Sequence, residues 1–318
     1  LKQLLSSEFS VQGSSRVRVI CRGASAWDRE SAVEVVRGNV TSRDDMMRAA
    51  EGTTEIYHLA GNVSRDPKET ELLYRTHVEG TRNVCAAALQ QGVAKLVHVS
   101  SSGTIAVGRE PVLHNEGSGY KDDVVAEWPY YTSKIAAEKL AFTYFERHKL
   151  PVVVVNPSLL LGPGDDRGSS TGDVALFLEG QIRALPLGGL NFVDARDAAL
   201  GVIAAMQRGR VGERYLLGGV NWTFQEMIER LAGISGRCAP KVQPSLGLAL
   251  LSARVLRRLL PLVGKRFALD DASIKMSALF WYCASSKARN ELGFETRDPL
   301  ETLRATVEDI QRRKTAGR

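Results

Sequence analysis

The chain has 318 residues, 44% of them hydrophobic and 25% charged, which is the make-up of a folded globular protein and excludes a disordered or fibrous one. Its formal net charge of +6 attracts phosphate in general and does not single out nucleic acid, which is not expected as a partner. Cys21, Cys85, Cys238 and Cys283 stand far apart, as do the five histidines, so no metal site is expected and reduced thiols point to a cytoplasmic protein.

In chain order, the opening LKQLLSSEF has the spacing of the middle of an amphipathic helix. Strands are predicted at RVRVIC (16–21), VEVV (33–36), EIYHLA (55–60), KLVHVS (95–100) and VVVVN (152–156), from their β-branched content. Between them, 70–91 and 130–149 are long enough to be crossover helices, and Pro129 suits the first turn of the second, where its missing N–H has no partner to lose. The alternation predicts an α/β fold with a Rossmann-type doubly wound parallel sheet. After the last of these strands, NPSLLLGPGDDRGSSTGD reads as a loop suited to lining a cleft. NFVDARDAALGVIAAMQRG and ERYLLGG (213–219) read as a return to the sheet, and the chain from Asn221 onward as largely helical. The expected division is therefore a sheet domain of 1–164 with 190–221, and a smaller, mostly helical lobe of 165–189 with 222–318. The most apolar stretch, Leu246 to Val263, is interrupted by Arg254, Arg257 and Arg258 and is too costly to span a bilayer. It is expected to be a helix covering the smaller lobe, with a weak membrane-surface contact as the alternative.

Tyr130 and Lys134 are four apart on a predicted helix and share a face. A free tyrosine titrates near pKa ~10, so it needs a fixed ammonium to serve as an acid or base at neutral pH. Lys134 is placed to supply it. About thirty residues earlier, KLVHVS runs into SSGT, which puts Ser100, Ser101, Ser102 and Thr104 at the carboxyl end of a strand, where ligands bind in such sheets. Ser102 and Thr104 are candidate substrate contacts, whereas Ser100 and Ser101 read as turn hydroxyls bonded to local backbone.

The set HVSSSGTIAVG, YYTSK and NPSLLLGPGD, in this order, resembles the extended short-chain dehydrogenase/reductases. FWYCASSKARNELGF near the end places the likeness nearest the dihydroflavonol-reductase-like and hopanoid-associated epimerase-like branch. The resemblance implies catalytic roles for Ser102, which would bind the reacting oxygen, for Tyr130 as general acid or base, and for Lys134, which would also hold the nicotinamide ribose. It implies a cofactor site made by Arg22, Asn39, Val40, Leu59, Ala60, Gly61, Ser100, Tyr130, Lys134, Pro157 and Ser158. Arg22 stands where relatives that prefer NAD(H) carry an acid, so NADP(H) is favoured with NAD(H) possible. Two positions depart from the family pattern. Asn39 replaces an aspartate that meets the adenine, and His77 replaces an asparagine, which puts support of the serine strand in doubt.

The expected activity is interconversion of a hydroxyl and a ketone on a small-molecule substrate. A sugar-nucleotide epimerase or dehydratase is the alternative, and a non-catalytic NAD(P)-binding regulator a second. The resemblance also implies a homodimer, through the two crossover helices that carry Leu72, Leu73, Val84, Leu140, Phe142 and Phe145. The family's first strand, glycine turn and helix start, roughly 15 to 20 residues, have no counterpart before residue 16, which is expected to weaken dinucleotide binding.

Overall fold

The computed structural model describes residues 1–5, 16–259, 261 and 269–316. The first strand, β1 (Val17–Cys21), pairs in parallel with β2 (Val33–Arg37), and Ser42 caps the following helix, α1 (Arg43–Ala50), by accepting the Asp45 N–H. β3 (Glu55–His58) leads to α2 (Thr70–Tyr74), which passes through a π-helical turn at Arg75–Glu79 into α3 (Gly80–Gln91). Gly92, at φ 62°, ends that helix in the left-handed conformation that glycine adopts without strain. Next come β4 (Lys95–Val99), α4 (Asp122–Val125), α5 (Pro129–His148) and β5 (Val152–Pro157). The remaining elements are β6 (Leu159–Leu161), α6 (Gly172–Leu178), β7 (Gly189–Asp194), α7 (Ala195–Arg208), β8 (Arg214–Leu217), β9 (Val220–Thr223), α8 (Phe224–Ser235), α9 (Leu246–Leu259), α10 (Asp271–Met276), β10 (Phe280–Trp281), α11 (Ser286–Leu292) and α12 (Pro299–Ala316).

The main sheet runs β3-β4-β5-β8, every pair parallel. A parallel strand buried on both faces needs apolar residues at every position, which is why VVVV opens β5. Val152 and Val154 enter one core with Leu96 and the α3 residues Val84 and Ala88. Val153 and Val155 enter the opposite core with α7 residues and with Ala288 and Leu292 of α11. Helices thus cover both faces, as a doubly wound fold requires.

The β1–β2 pair forms its own small sheet, and among the described residues no strand joins β1 to β3. Ile20 of β1 and Ile56 of β3 nevertheless pack against one shared core. The helix expected at the opening is described only as one turn closed by Leu5 N–H to Leu1 O, and its continuation lies outside the described residues.

The segment NFVDARDAA does not return to the main sheet as expected. β7 is the hub of a second, four-stranded sheet, parallel to β6 and β10 and antiparallel to β9, whereas α7 packs back on β4 and β5. The smaller lobe is accordingly a sheet with helices. Its core gathers Phe192, Phe177, Met227, Leu231 and Leu303.

The dimer residues expected on the crossover helices divide. Leu73 and Val84 are buried in the chain's own core, and Phe142 and Phe145 pack against that core, while Leu72 is 45% exposed. Four of the six therefore serve the fold first.

Candidate active site

The carboxyl end of β4 and the first turn of α5 meet at a cleft of about 420 Å³ between the main sheet and the smaller lobe. Pro129 begins α5, so Tyr130 and Lys134 lie one turn apart near the helix start, and both line the cleft with Ser100, Ser101 and Ser102.

Lys134 is buried and its Nζ donates to the Val99 carbonyl at 3.1 Å. Burial lowers its pKa to about 8 against an opposing pull from Glu138, so it still carries its charge at neutral pH. Burial raises the Tyr130 pKa, and a hydrogen bond with the Ser101 side chain opposes that rise. Tyr130 is therefore a protonated phenol at neutral pH, a donor in waiting.

Ser102 is buried and lines the cleft, opening a short 3-10 turn at Ser102–Thr104. Ser101, read from sequence as a turn hydroxyl, accepts the Gly103 N–H through its side chain at 3.4 Å, as expected, and also offsets part of the rise in the Tyr130 pKa. Thr104 is fully buried and is not among the residues lining the cleft. Its hydroxyl donates to the Ser101 carbonyl at 2.8 Å and sits 3.2 Å from Glu138 Oε2, while Asn156 Nδ2 donates to it at 3.1 Å. The substrate contact expected of Thr104 is thus replaced by a structural one, which fixes the turn carrying the serines.

His77 departs from the family pattern yet provides support of its own. Its Nε2 accepts the Asn62 N–H at 3.1 Å, which leaves the proton on Nδ1 to donate to Ser133 Oγ at 2.8 Å. Ser133 passes its own proton to the Tyr130 carbonyl at 2.9 Å. One ring therefore ties the loop after β3 to the first turn of α5, from a π-helical turn that turns the ring inward. His77→Phe is expected to cost about 1–3 kcal/mol of stability because the Asn62 N–H and the Ser133 hydroxyl lose their partner, as read from the urea midpoint. An unchanged midpoint would refute this account of the ring.

Beyond the serines, the wall is aromatic. The Tyr131 ring stacks on Trp281 at 4.9 Å, and Trp128 lies 6.1 Å from Trp281. A Cβ at Gly103 would collide with the Tyr131 ring and approach Trp281 to 2.9 Å. Glycine is what lets the aromatic wall close on the serine turn. Gly103→Ala is therefore expected to displace Tyr131 and raise KM at least about tenfold with little loss of kcat, as measured by steady-state kinetics.

Leu59, Gly61, Ser100, Pro157 and Ser158 all line the cleft, and the Ser100 and Ser158 hydroxyls are buried without a protein partner. Orphaned hydroxyls aimed at a cleft are what a ribose or carboxamide would satisfy, so the residues present fit a nicotinamide nucleotide. A Cβ added at Gly61 would stand 3.4 Å from Lys134 Nζ, so this backbone too approaches the ammonium closely. Ala60 is exposed beside the cleft but does not line it, and Arg22 is exposed just past the end of β1. Asn39 accepts the Thr41 N–H through its side chain and gives its own N–H to Asp45. The Val40 side chain is a core one that packs against Gly80.

Tyr130, Lys134 and the serine turn thus meet at the carboxyl edge of a doubly wound sheet, where ligands bind in such folds. The chain belongs to the NAD dependent epimerase/dehydratase family, whose sequence pattern matches residues 4–218. It is 34% identical over 310 residues to a putative dihydroflavonol 4-reductase of Synechocystis sp., covering 93% of this chain and 88% of that relative. It is 33% identical over 271 residues to the sterol demethylase protein B of Methylococcus capsulatus, covering 82% and 80%. Among solved structures, that of gox2253 superposes with a TM-score of 0.79 at 27% identity, covering 94% of this chain and 90% of that one. With relatives that are reductases, dehydratases and epimerases, the protein is an enzyme of the NAD(P)-binding extended short-chain type.

Proposed function

We propose that this enzyme interconverts a ketone and an alcohol on an apolar, ring-bearing substrate through Tyr130, Lys134, Ser101 and Ser102. The observation that carries this reading is the chemistry of the cleft beyond the serine turn, where Phe177, Leu190, Phe224, Met227 and Ile228 line one wall and Trp128, Tyr131 and Trp281 another. Among the described residues lining it, the cations are Lys134 and Arg65, and Arg65 is already held by both oxygens of Asp173 at 3.0 and 3.3 Å. A sugar nucleotide would bring a diphosphate to a wall with little charge left to receive it, which counts against the epimerase or dehydratase alternative.

When bound, the dinucleotide supplies the hydride for reduction or accepts it for oxidation. Ser101 and Ser102 orient the reacting oxygen by donating hydrogen bonds to it. Tyr130, kept neutral by burial, gives its proton to that oxygen as it becomes an alcohol. Lys134, anchored on Val99, holds a positive charge beside the serine strand and the ribose site. An intact pair of this kind counts against the non-catalytic regulator.

NADP(H) is proposed over NAD(H) on the strength of Arg22, exposed at the end of β1 with no acidic partner among the described residues. Arg22→Asp is expected to invert the preference. A homodimer is proposed through exposed Leu72, Tyr74 and Leu89 on the α2–α3 segment, and sedimentation of a monomer at micromolar concentration would refute it. A cytoplasmic location is part of the same reading, supported by four free cysteines.

The test is initial-rate kinetics with both cofactors against fused-ring ketones and alcohols and against sugar nucleotides. Turnover of the apolar ketones with NADPH is the expected result, and turnover of sugar nucleotides alone would overturn the reading.

A further inference from the structure

Helix α9 is apolar on two sides. Ala253 is buried against the protein, yet Leu248, Leu251, Val255 and Leu259 are 57, 59, 47 and 54% exposed. Their spacing of three, four and four residues puts them in one stripe along the helix, on the side away from Ala253. Scattered exposed leucines are ordinary, but a continuous stripe on one helix face is not. The stripe has one basic edge. Arg254 and Arg258 are exposed, the helix carries no acidic residue, and Arg258 has no acidic partner among the described residues. Arg257 holds the helix in place through Asp271 of α10, which Arg254 also approaches at 3.7 Å.

We propose that this face of α9 docks on an anionic lipid surface. An apolar stripe with arginines along one edge is an arrangement that sinks leucines to the acyl boundary while guanidinium groups meet lipid phosphates. A second copy of the chain fits the face less well. Across a two-fold axis, Arg254 and Arg258 would approach their own counterparts, and a four-residue stripe is small beside the roughly 800 Å² per partner of a stable dimer. No described helix is long and apolar enough to cross a membrane, so the contact is a surface one.

The position of the face gives it a use. α9 packs on α10, whose Ser273, Ile274 and Met276 line the apolar cleft. A docked α9 would therefore hold the cleft beside the bilayer that dissolves an apolar ketone. This consequence rests on the proposed substrate class, whereas the docking does not.

Flotation of the full chain with vesicles of phosphatidylcholine, with and without phosphatidylglycerol, tests the proposal without cofactor or substrate. Binding is expected only to the phosphatidylglycerol vesicles, weakened by salt. The double variant Leu251→Gln, Val255→Gln is expected to bind about tenfold or more weakly, and Arg258→Glu about fivefold, both with unchanged thermal melting. Three outcomes would overturn the proposal: no vesicle binding, equal binding to both vesicle types, or variants that bind like the wild type. So would a wild-type dimer that the double variant splits, without vesicle binding. Failure here leaves the proposed reaction untouched, because that is read from turnover in solution.

Discussion

Tyr130→Phe is expected to lower turnover by a factor on the order of 10² to 10⁴ while leaving cofactor binding nearly unchanged. The phenylalanine ring keeps the edge-on contacts with His77 at 5.7 Å and Tyr131 at 5.0 Å, so the fold of the site survives. What disappears is the hydroxyl proposed to give up the proton. Ser101→Ala is expected to show a smaller loss of kcat, because in the proposed reaction Ser102 still orients the reacting oxygen. The measurement is kcat and KM for the variant, with nucleotide affinity by fluorescence titration. A variant that kept its turnover would remove Tyr130 from the chemistry.

Acid should unfold this protein unusually steeply. His58 and His98 sit opposite each other on β3 and β4, their rings 5.2 Å apart, with His77 nearby, and all three are buried. Burial, reinforced by the Lys134 charge, lowers the pKa of His58 and of His77 to about 3, and burial with the neighbouring His58 charge lowers that of His98 well below its usual value. These are depressed histidine values, so the sign is fixed. Stability is complete above pH 6.5, where both states are neutral, and falls as pH drops, because only the unfolded chain takes up the protons. Three protons correspond to a slope of about 4 kcal/mol per pH unit between roughly pH 6 and 4, enough to consume an ordinary domain's stability within about two to three units. Urea midpoints from pH 7.5 downward read this directly. His98, whose two nitrogens have no partner, gives the control: His98→Phe is expected to reduce the slope by about a third. A midpoint flat from pH 6.5 to 4.5 would sink the account.

Much of this architecture was legible in the order of residues. Runs of β-branched side chains located the strands of the main sheet, because a strand buried on both faces has few other compositions available. The four-residue spacing of Tyr130 and Lys134 by itself places both on one helix face. What escaped was decided by contacts distant in sequence. Three consecutive serines have one chemistry, and only the turn decides that the Ser101 hydroxyl meets the Gly103 N–H while the Ser100 hydroxyl is left buried without a partner. Thr104 looked equally available until Glu138 and Asn156, from two other elements, claimed its hydroxyl. The role of Gly103 depends on Trp281, far down the chain, and β7 was assigned to the wrong sheet because its apolar pattern suits either one. His77 carried a signal that was read only as a loss; an imidazole can span two partners that an asparagine's shorter amide reaches differently.

The division of the strands into β1–β2 and β3-β4-β5-β8 has a consequence for how the molecule opens. No backbone ladder among the described residues couples the two groups, so β1 and β2 are held mainly through α1 and the shared apolar core around Ile20. Such a unit can detach without unzipping the larger sheet. Its amides should therefore exchange with deuterium through a partial opening, while those of β4 and β5 wait for global unfolding. Arg22, the residue proposed to choose between the two nucleotides, lies just beyond the end of β1 in the part that opens first, so a ligand gripping it would slow exchange there before anywhere else.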